Sequence, residues 1–177
     1  MKHAGIFVLG LAVVGSLVPA TVFAQTTTTP PVATADARCT TAKERIAPLI
    51  TKVSTLQTER TNQYTSINDR VNRFATSSIA AKYSDTAKLT SAHDSVKQSI
   101  EAYSVQATRY KASLDKAQSI PCTQMNEFTA TLTNARSELV KLRNSNTAIK
   151  MAIKEQAVPA LQNYATWLKT NTAKEAE

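Results

Sequence analysis

No glycine occurs between residue 16 and residue 177. A chain without glycine has no low-cost route to positive φ, which argues against tight primed-turn hairpins. The same absence excludes glycine-rich phosphate loops, whether of the P-loop or the dinucleotide type.

The apolar residues recur at alternating spacings of three and four. Cys39, Ala42, Ile46, Leu49, Val53 and Leu56 continue through Arg60, Gln63, Ile67 and Phe74, with Ile50, Tyr64 and Val71 widening the stripe. A second run is Leu89, His93, Val96, Ile100, Tyr103, Ala107, Tyr110, Leu114 and Ala117; a third is Met125, Phe128, Leu132, Ala135, Leu139, Leu142, Asn146, Ile149 and Ile153. This is the heptad seam of helices packed at a shallow angle. The many Thr and Ser residues are mediocre helix formers, but packing of so long a stripe outweighs that weak preference.

Breaks at residues 75–81 and 119–121 divide the stripes into three helices, roughly 39–76, 82–119 and 122–170. The first two are each about 38 residues, or ~57 Å at 1.5 Å per residue. Short connections make sequential helices antiparallel, which predicts an all-α, elongated antiparallel three-helix bundle of coiled-coil character. Pro48 should kink the first helix or mark a later start. The third helix outruns the first near Pro159, where a kinked C-terminal helical extension is expected.

Residues 1–24 read as a secretory signal peptide. Lys2 and His3 precede the apolar stretch Gly5 to Val18, Pro19 breaks it, and Val22-Phe23-Ala24 offers small residues where a signal peptidase cuts. Retention of this segment as an anchor is the alternative. The apolar run is short for a membrane span, so the processed chain is expected not to cross one. Residues 25–37 read as a disordered Thr/Pro-rich tether, residues 38–170 as a single helical bundle domain, and residues 171–177 as a frayed tail.

Two cysteines in an exported chain, Cys39 and Cys122, suggest one disulfide, with free thiols or an interchain bridge as competing readings. In an up-down-up bundle the first and third helices begin at the same end. Each cysteine opens one of them, so the pair falls side by side. Such a bridge closes a loop whose entropy the chain model values at roughly 4–5 kcal/mol.

Three constellations are candidate sites. Counted from the cysteine end, the non-apolar seam residues Arg60, Gln63, His93 and Asn146 fall at one level, within roughly 10 Å along the axis. They form either a buried polar layer that fixes helix register or a small-ligand or pH-sensitive site centred on His93; the layer is the favoured reading. Arg136, Arg143 and Lys150 recur every seven residues, with Lys141 and Lys154 nearby, as a basic stripe. It suits an anionic glycan or lipid headgroup, or is simply a solvated flank; aromatics for base stacking are lacking, which disfavours nucleic acid. Leu161, Tyr164, Trp167 and Leu168 make an apolar face that either packs on Ile79 and Tyr83 or stays open as a docking surface; packing is favoured.

Formal net charge is +8, or +7 without residues 1–24, and spread along the chain, compatible with an anionic partner without demanding one. Carboxylates such as Asp94, Glu101, Asp115 and Glu138 sit on outward positions. None pairs with another in a dry pocket as acid–base catalysis requires. No enzyme activity, cofactor, metal or small-molecule substrate is expected; a protein or an anionic envelope component is the expected partner.

Arg38-Cys39 after a Thr/Pro-rich segment, Glu44-Arg45-Ile46, and Pro121-Cys122 opening the last helix resemble secreted coiled-coil proteins of small-genome candidate-phylum bacteria. The similarity covers residues 38 to about 158. That group has no assigned activity, so the resemblance implies compartment and fold, and no chemistry. The basic charge and helical build are also similar to those of periplasmic holdase chaperones, although the missing glycines and strand segments depart from that pattern. The expected function is a non-enzymatic, exported helical interaction or structural module of the cell envelope or extracellular space. A polyanion-binding module and a holdase-like chaperone are the alternatives.

Overall fold

The computed structural model describes residues 34–174, with side chains described through residue 171. The signal-peptide reading of residues 1–24 and most of the tether lie outside the described residues, as do residues 175–177. Every described element is helical: α1 (Ala35–Ala75), a 3₁₀ turn (Ala80–Lys82), α2 (Thr86–Ser119), α3 (Met125–Met151), a π-helical stretch (Ala152–Ala157) and α4 (Val158–Lys174). Together they form a helical bundle. None of these helices is long and apolar enough to cross a membrane.

α1 starts within the segment expected to be tether. Thr34 Oγ1 accepts a hydrogen bond from the Ala37 amide at 3.3 Å, and Asp36 places a negative charge in the first turn. Both features stabilise a helix start by satisfying orphan N–H groups and the positive end of the dipole. The sequence reading missed this cap because it took the Thr-rich run as one segment. Pro48 neither delays nor divides α1, which runs through it. Pro48 and Glu44, whose carbonyl loses its helical donor, are both exposed, so water can solvate the orphaned acceptor. Downstream, Thr86 Oγ1 donates to the Tyr83 carbonyl at 2.7 Å and to the Ala80 carbonyl, tying the 3₁₀ turn to the start of α2.

The third rod changes character before Pro159. The Val158 amide donates to the Ile153 carbonyl, five residues back rather than four. A proline has no N–H, and its ring crowds the carbonyl one turn earlier. A widened π turn immediately ahead accommodates both effects without ending the rod.

The core divides into two clusters. One joins Cys39, Ile46, Tyr110, Leu114, Ile120 and Phe128; the other joins Val71, Leu89, Val96, Tyr103, Ile149 and Tyr164, among others. The Cys39 and Cys122 sulfurs lie at disulfide distance, 2.09 Å, with Cα atoms 5.6 Å apart. Along the rods, Gln57 reaches Ser104 and Thr108, and Asn134 reaches Ser113. The offset between α1 and the third segment changes by only one residue, from 83 for the cysteine pair, just ahead of α3, to 82 for Tyr64 with Asn146.

α2 presents the expected seam, with Leu89, Val96, Ile100, Tyr103, Ala107, Tyr110, Leu114 and Ala117 all buried. α1 does not. Its buried residues beyond Ile46 are Tyr64, Asn68 and Val71, whereas Leu49 and Phe74 are 42% and 47% exposed. In its second half the inward face is centred on Tyr64, Asn68 and Val71, with Ile67 packed at its margin, while Gln63 and Phe74 are exposed. A one-residue change of frame turns a helix face by about 100°. The Tyr64 and Val71 positions fill the core better than Gln63, and they settle the frame.

Candidate functional site

The expected polar layer is only partly assembled. Tyr64, buried, donates its hydroxyl proton to Asn146 Oδ1 at 3.0 Å, so Asn146 does bridge α3 to α1. Arg60 is half-buried and near Tyr103, whose phenol pKa is pushed up by burial against the opposing pull of the guanidinium. Gln63 is exposed and takes no part, a correction that follows from the frame of α1. His93 is a separate feature. Its Nε2 lies 4.0 Å from Asp94 Oδ1, and its Nδ1 is buried with no hydrogen-bond partner. Asn68 Oδ1 is also buried and without a partner.

A different polar belt holds the middle of the bundle. Gln57 Nε2 donates to the Ser104 hydroxyl at 3.2 Å, Gln106 Nε2 donates to Glu138 Oε2, and Lys141 Nζ donates to Glu138 Oε1 at 2.7 Å. Gln106 and Glu138 are both buried. Glu138, expected on an outward position, sits one position before Leu139 and is covered at the α2–α3 contact, a correction to the heptad reading. The Lys141 ammonium, then the Gln106 amide and the Arg109 charge, hold its carboxyl below the usual carboxylate range against the opposing effect of burial. A carboxylate with both oxygens engaged is suited to fixing helix register rather than to exchanging protons. The only signal for this belt in the sequence is polar residues beside the seam, at Gln57, Gln106 and Glu138, and solvated flanks carry the same signal.

The basic stripe is uneven. Arg136, Lys141, Arg143, Lys150 and Lys154 are all exposed. Lys141 is committed to Glu138, and Arg143 lies near the buried phenol of Tyr110. Arg136, Lys150 and Lys154 form no ion pair among the described residues.

The C-terminal apolar face is covered where its aromatics lie. Tyr164 is 3% exposed, and Leu161, Trp167 and Leu168 are half-buried. Tyr83 sits 5.3 Å from both the Tyr164 and Trp167 ring centroids, Trp167 stacks on Tyr164 at 5.9 Å, and Phe74 approaches Tyr164 at 6.2 Å. Offset and tilted pairs at these separations are the favoured aromatic geometry. The face therefore does not present these four side chains as an open docking surface: Tyr83 and Phe74 occupy it. Ile79, expected beneath it, is 52% exposed.

Beside this cluster lies a groove of about 510 Å³ that the sequence did not announce, lined by Arg70, Arg73, Phe74, Ser77, Ile79, Tyr164 and Leu168. Among the described residues, no group of three or more His, Cys, Asp or Glu side chains converges as a metal site. Comparison with protein-family models, with curated proteins and with solved structures finds no match.

Proposed function

We propose that this chain is an exported, non-enzymatic helical module that serves as an interaction or structural element of the cell envelope or extracellular space. One observation carries the reading. The Cys39 and Cys122 sulfurs lie at bonding distance across 83 residues of sequence. Disulfides of this kind persist in oxidising compartments and are rare in reducing ones. Agreement of this geometry with the signal-peptide pattern of residues 1–24 supports export, with cleavage after Ala24.

The module is an elongated antiparallel three-helix bundle whose third rod bends at the π-helical stretch before Pro159. The nearly constant offset between α1 and the third segment supports a parallel course for these two. The Gln106–Glu138 and Asn134–Ser113 bonds support α2 running the other way, since the α2 number rises from one to the other as the α3 number falls. Apart from the buried, unpartnered His93 Nδ1 and Asn68 Oδ1, the interior is taken up by packed apolar side chains and a hydrogen-bonded polar belt, an arrangement that favours a scaffold over a reaction chamber.

The test is expression in a bacterial host with residues 1–24 included, followed by fractionation and mass analysis. The reading expects an envelope or secreted species beginning at Gln25, with a bridged peptide pair containing Cys39 and Cys122. A cytoplasmic product with two alkylatable thiols overturns it. A second reading, a polyanion-binding module, is favoured by Arg136 and Lys150, which form no ion pair among the described residues. It expects heparin retention that falls steeply with salt and weakens in Arg136→Gln/Lys150→Gln.

A further inference from the structure

The groove between the end of α1 and α4 joins exposed large apolar side chains to two arginines. Its apolar walls are open: Phe74 is 47% and Ile79 52% exposed, with Leu168 and the Tyr164 ring completing the lining. Its charge has one sign. Arg70 and Arg73 line it, no acidic side chain does, and neither guanidinium has an ion-pair partner among the described residues. Asp69 lines the adjoining depression with Arg73 and makes no ion pair with it.

The geometry points to a binding site for a single-chain anionic amphiphile, a long-chain carboxylate, with the alkyl chain along Phe74, Ile79 and Leu168 and the headgroup at Arg70 and Arg73. The volume falls in the range of about 300–1,000 Å³ usual for small-ligand sites. A guanidinium recognises a carboxylate through paired, charge-assisted hydrogen bonds.

The lining also distinguishes an alkyl chain from a peptide. A peptide laid in an apolar groove needs partners for its N–H and C=O groups, since leaving them unpaired is costly. The groove's uncharged polar groups are already committed. The Ser77 hydroxyl donates to the Phe74 carbonyl at 3.0 Å, accepts from the Ala80 amide at 3.1 Å and lies 3.3 Å from the Tyr164 hydroxyl. An alkyl chain makes no such demand.

The experiment titrates dodecanoate, below its micelle concentration, into the purified disulfide-bonded protein. Calorimetry and Trp167 emission are followed together, because Trp167 stacks on the Tyr164 ring that lines the groove. Saturable one-to-one binding is expected, with no comparable binding of dodecyltrimethylammonium. Arg70→Gln/Arg73→Gln should weaken it roughly ten- to a hundred-fold, the loss of charge-assisted hydrogen bonds. Ile79→Asp, at a half-exposed site, should weaken it similarly; circular dichroism of both variants must match the parent for the comparison to count. Equal affinity for the cationic amphiphile, absence of saturable binding, or an unchanged constant in the folded double-arginine variant overturns the proposal. So does association with anionic phospholipid vesicles alone, or tighter binding of an apolar peptide than of the carboxylate.

Discussion

Reducing the Cys39–Cys122 bond should cost this protein a large share of its stability without redesigning its folded state. Cys39 is 1% exposed in a cluster with Ile46, Leu114 and Phe128, and Cys122 packs against the same group. Those contacts survive reduction, so the main change is in the unfolded chain. With a separation of 83 residues, loop-closure entropy gives about 4.6 kcal/mol at 25 °C. Total stabilities of single domains run at about 5–15 kcal/mol, so the reduced protein is expected to be marginal. The accompanying fall in melting temperature is about 10–20 °C. Reduction also frees the unfolded chain to expand, so the denaturant slope should rise while the midpoint falls. The assay is urea unfolding followed by circular dichroism, with and without a phosphine reductant that leaves the sequence unchanged. Free energies within about 1 kcal/mol of each other, with equal slopes, would refute the reasoning. That result would mean either that no intrachain bond was present or that the unfolded chain keeps its ends together without one.

Asn146→Leu should lower stability by about 1–2 kcal/mol by stranding the Tyr64 hydroxyl. Adding Tyr64→Phe should restore most of the loss, whereas additive losses in the double-mutant cycle would show that the two side chains are not coupled. Glu138 has its folded-state pKa depressed, so its contribution is complete above the unfolded carboxylate pKa and is lost as pH falls through the folded value. Glu138→Gln should therefore flatten the acid limb of a midpoint-against-pH curve and leave its neutral-to-alkaline shape alone; parallel curves would count against the depressed pKa. Trp167 should emit to the blue of free indole and resist acrylamide in the isolated protein. Tyr83→Ala should shift its emission red and increase quenching, and a parent spectrum already typical of water-exposed indole would rule out the aromatic cluster.

Legibility in the sequence followed how much each position contrasts with its neighbours. α2 alternates large apolar residues with Lys, Ser and Asp, so only one face can be buried, and it is the one the spacing marks. Along the second half of α1 the choice lay among Arg60, Thr61, Gln63, Asn68 and a few large side chains. Gln63 and Asn68 differ little in hydrophobicity, yet the first is exposed and the second is 5% exposed. Only the fit of Tyr64 and Val71 into α2 and α3 decides between them. The π turn was invisible for a related reason: Pro159 announces a disturbance, but whether a rod breaks, bends or widens depends on what packs against it. Here Ala152, Ala157 and Ala160 are buried, and small side chains leave room for the wider turn. The spacing relates Tyr164 and Leu168 to Ile79, but it does not bring in Arg70, Arg73 and Phe74, which reach the same groove from the end of α1.

The polar belt has a consequence for how such a rod can work. A seam of leucines and alanines alone tolerates slippage by a heptad, since every position finds an equivalent partner. Gln106 and Glu138 cannot slip without giving up their bond to each other and leaving an amide and a carboxylate unpaired at the helix contact. The Tyr64–Asn146 bond imposes the same condition between α1 and α3, about seven residues from Gln57 along α1. In the proposed bundle the covalent constraint at Cys39 and Cys122 fixes one end, the belt fixes the register in the middle, and the Tyr83–Tyr164–Trp167 cluster closes the other. The groove then lies at the end held without a covalent bond, by the aromatic cluster and the Ser77–Tyr164 hydroxyl bond. Local opening free energies are lowest where such constraints are fewest. Residues 77–79, which lie between α1 and the 3₁₀ turn, are accordingly where hydrogen exchange near the groove should be fastest. An occupied groove should slow that exchange without altering the α2 core around Leu114.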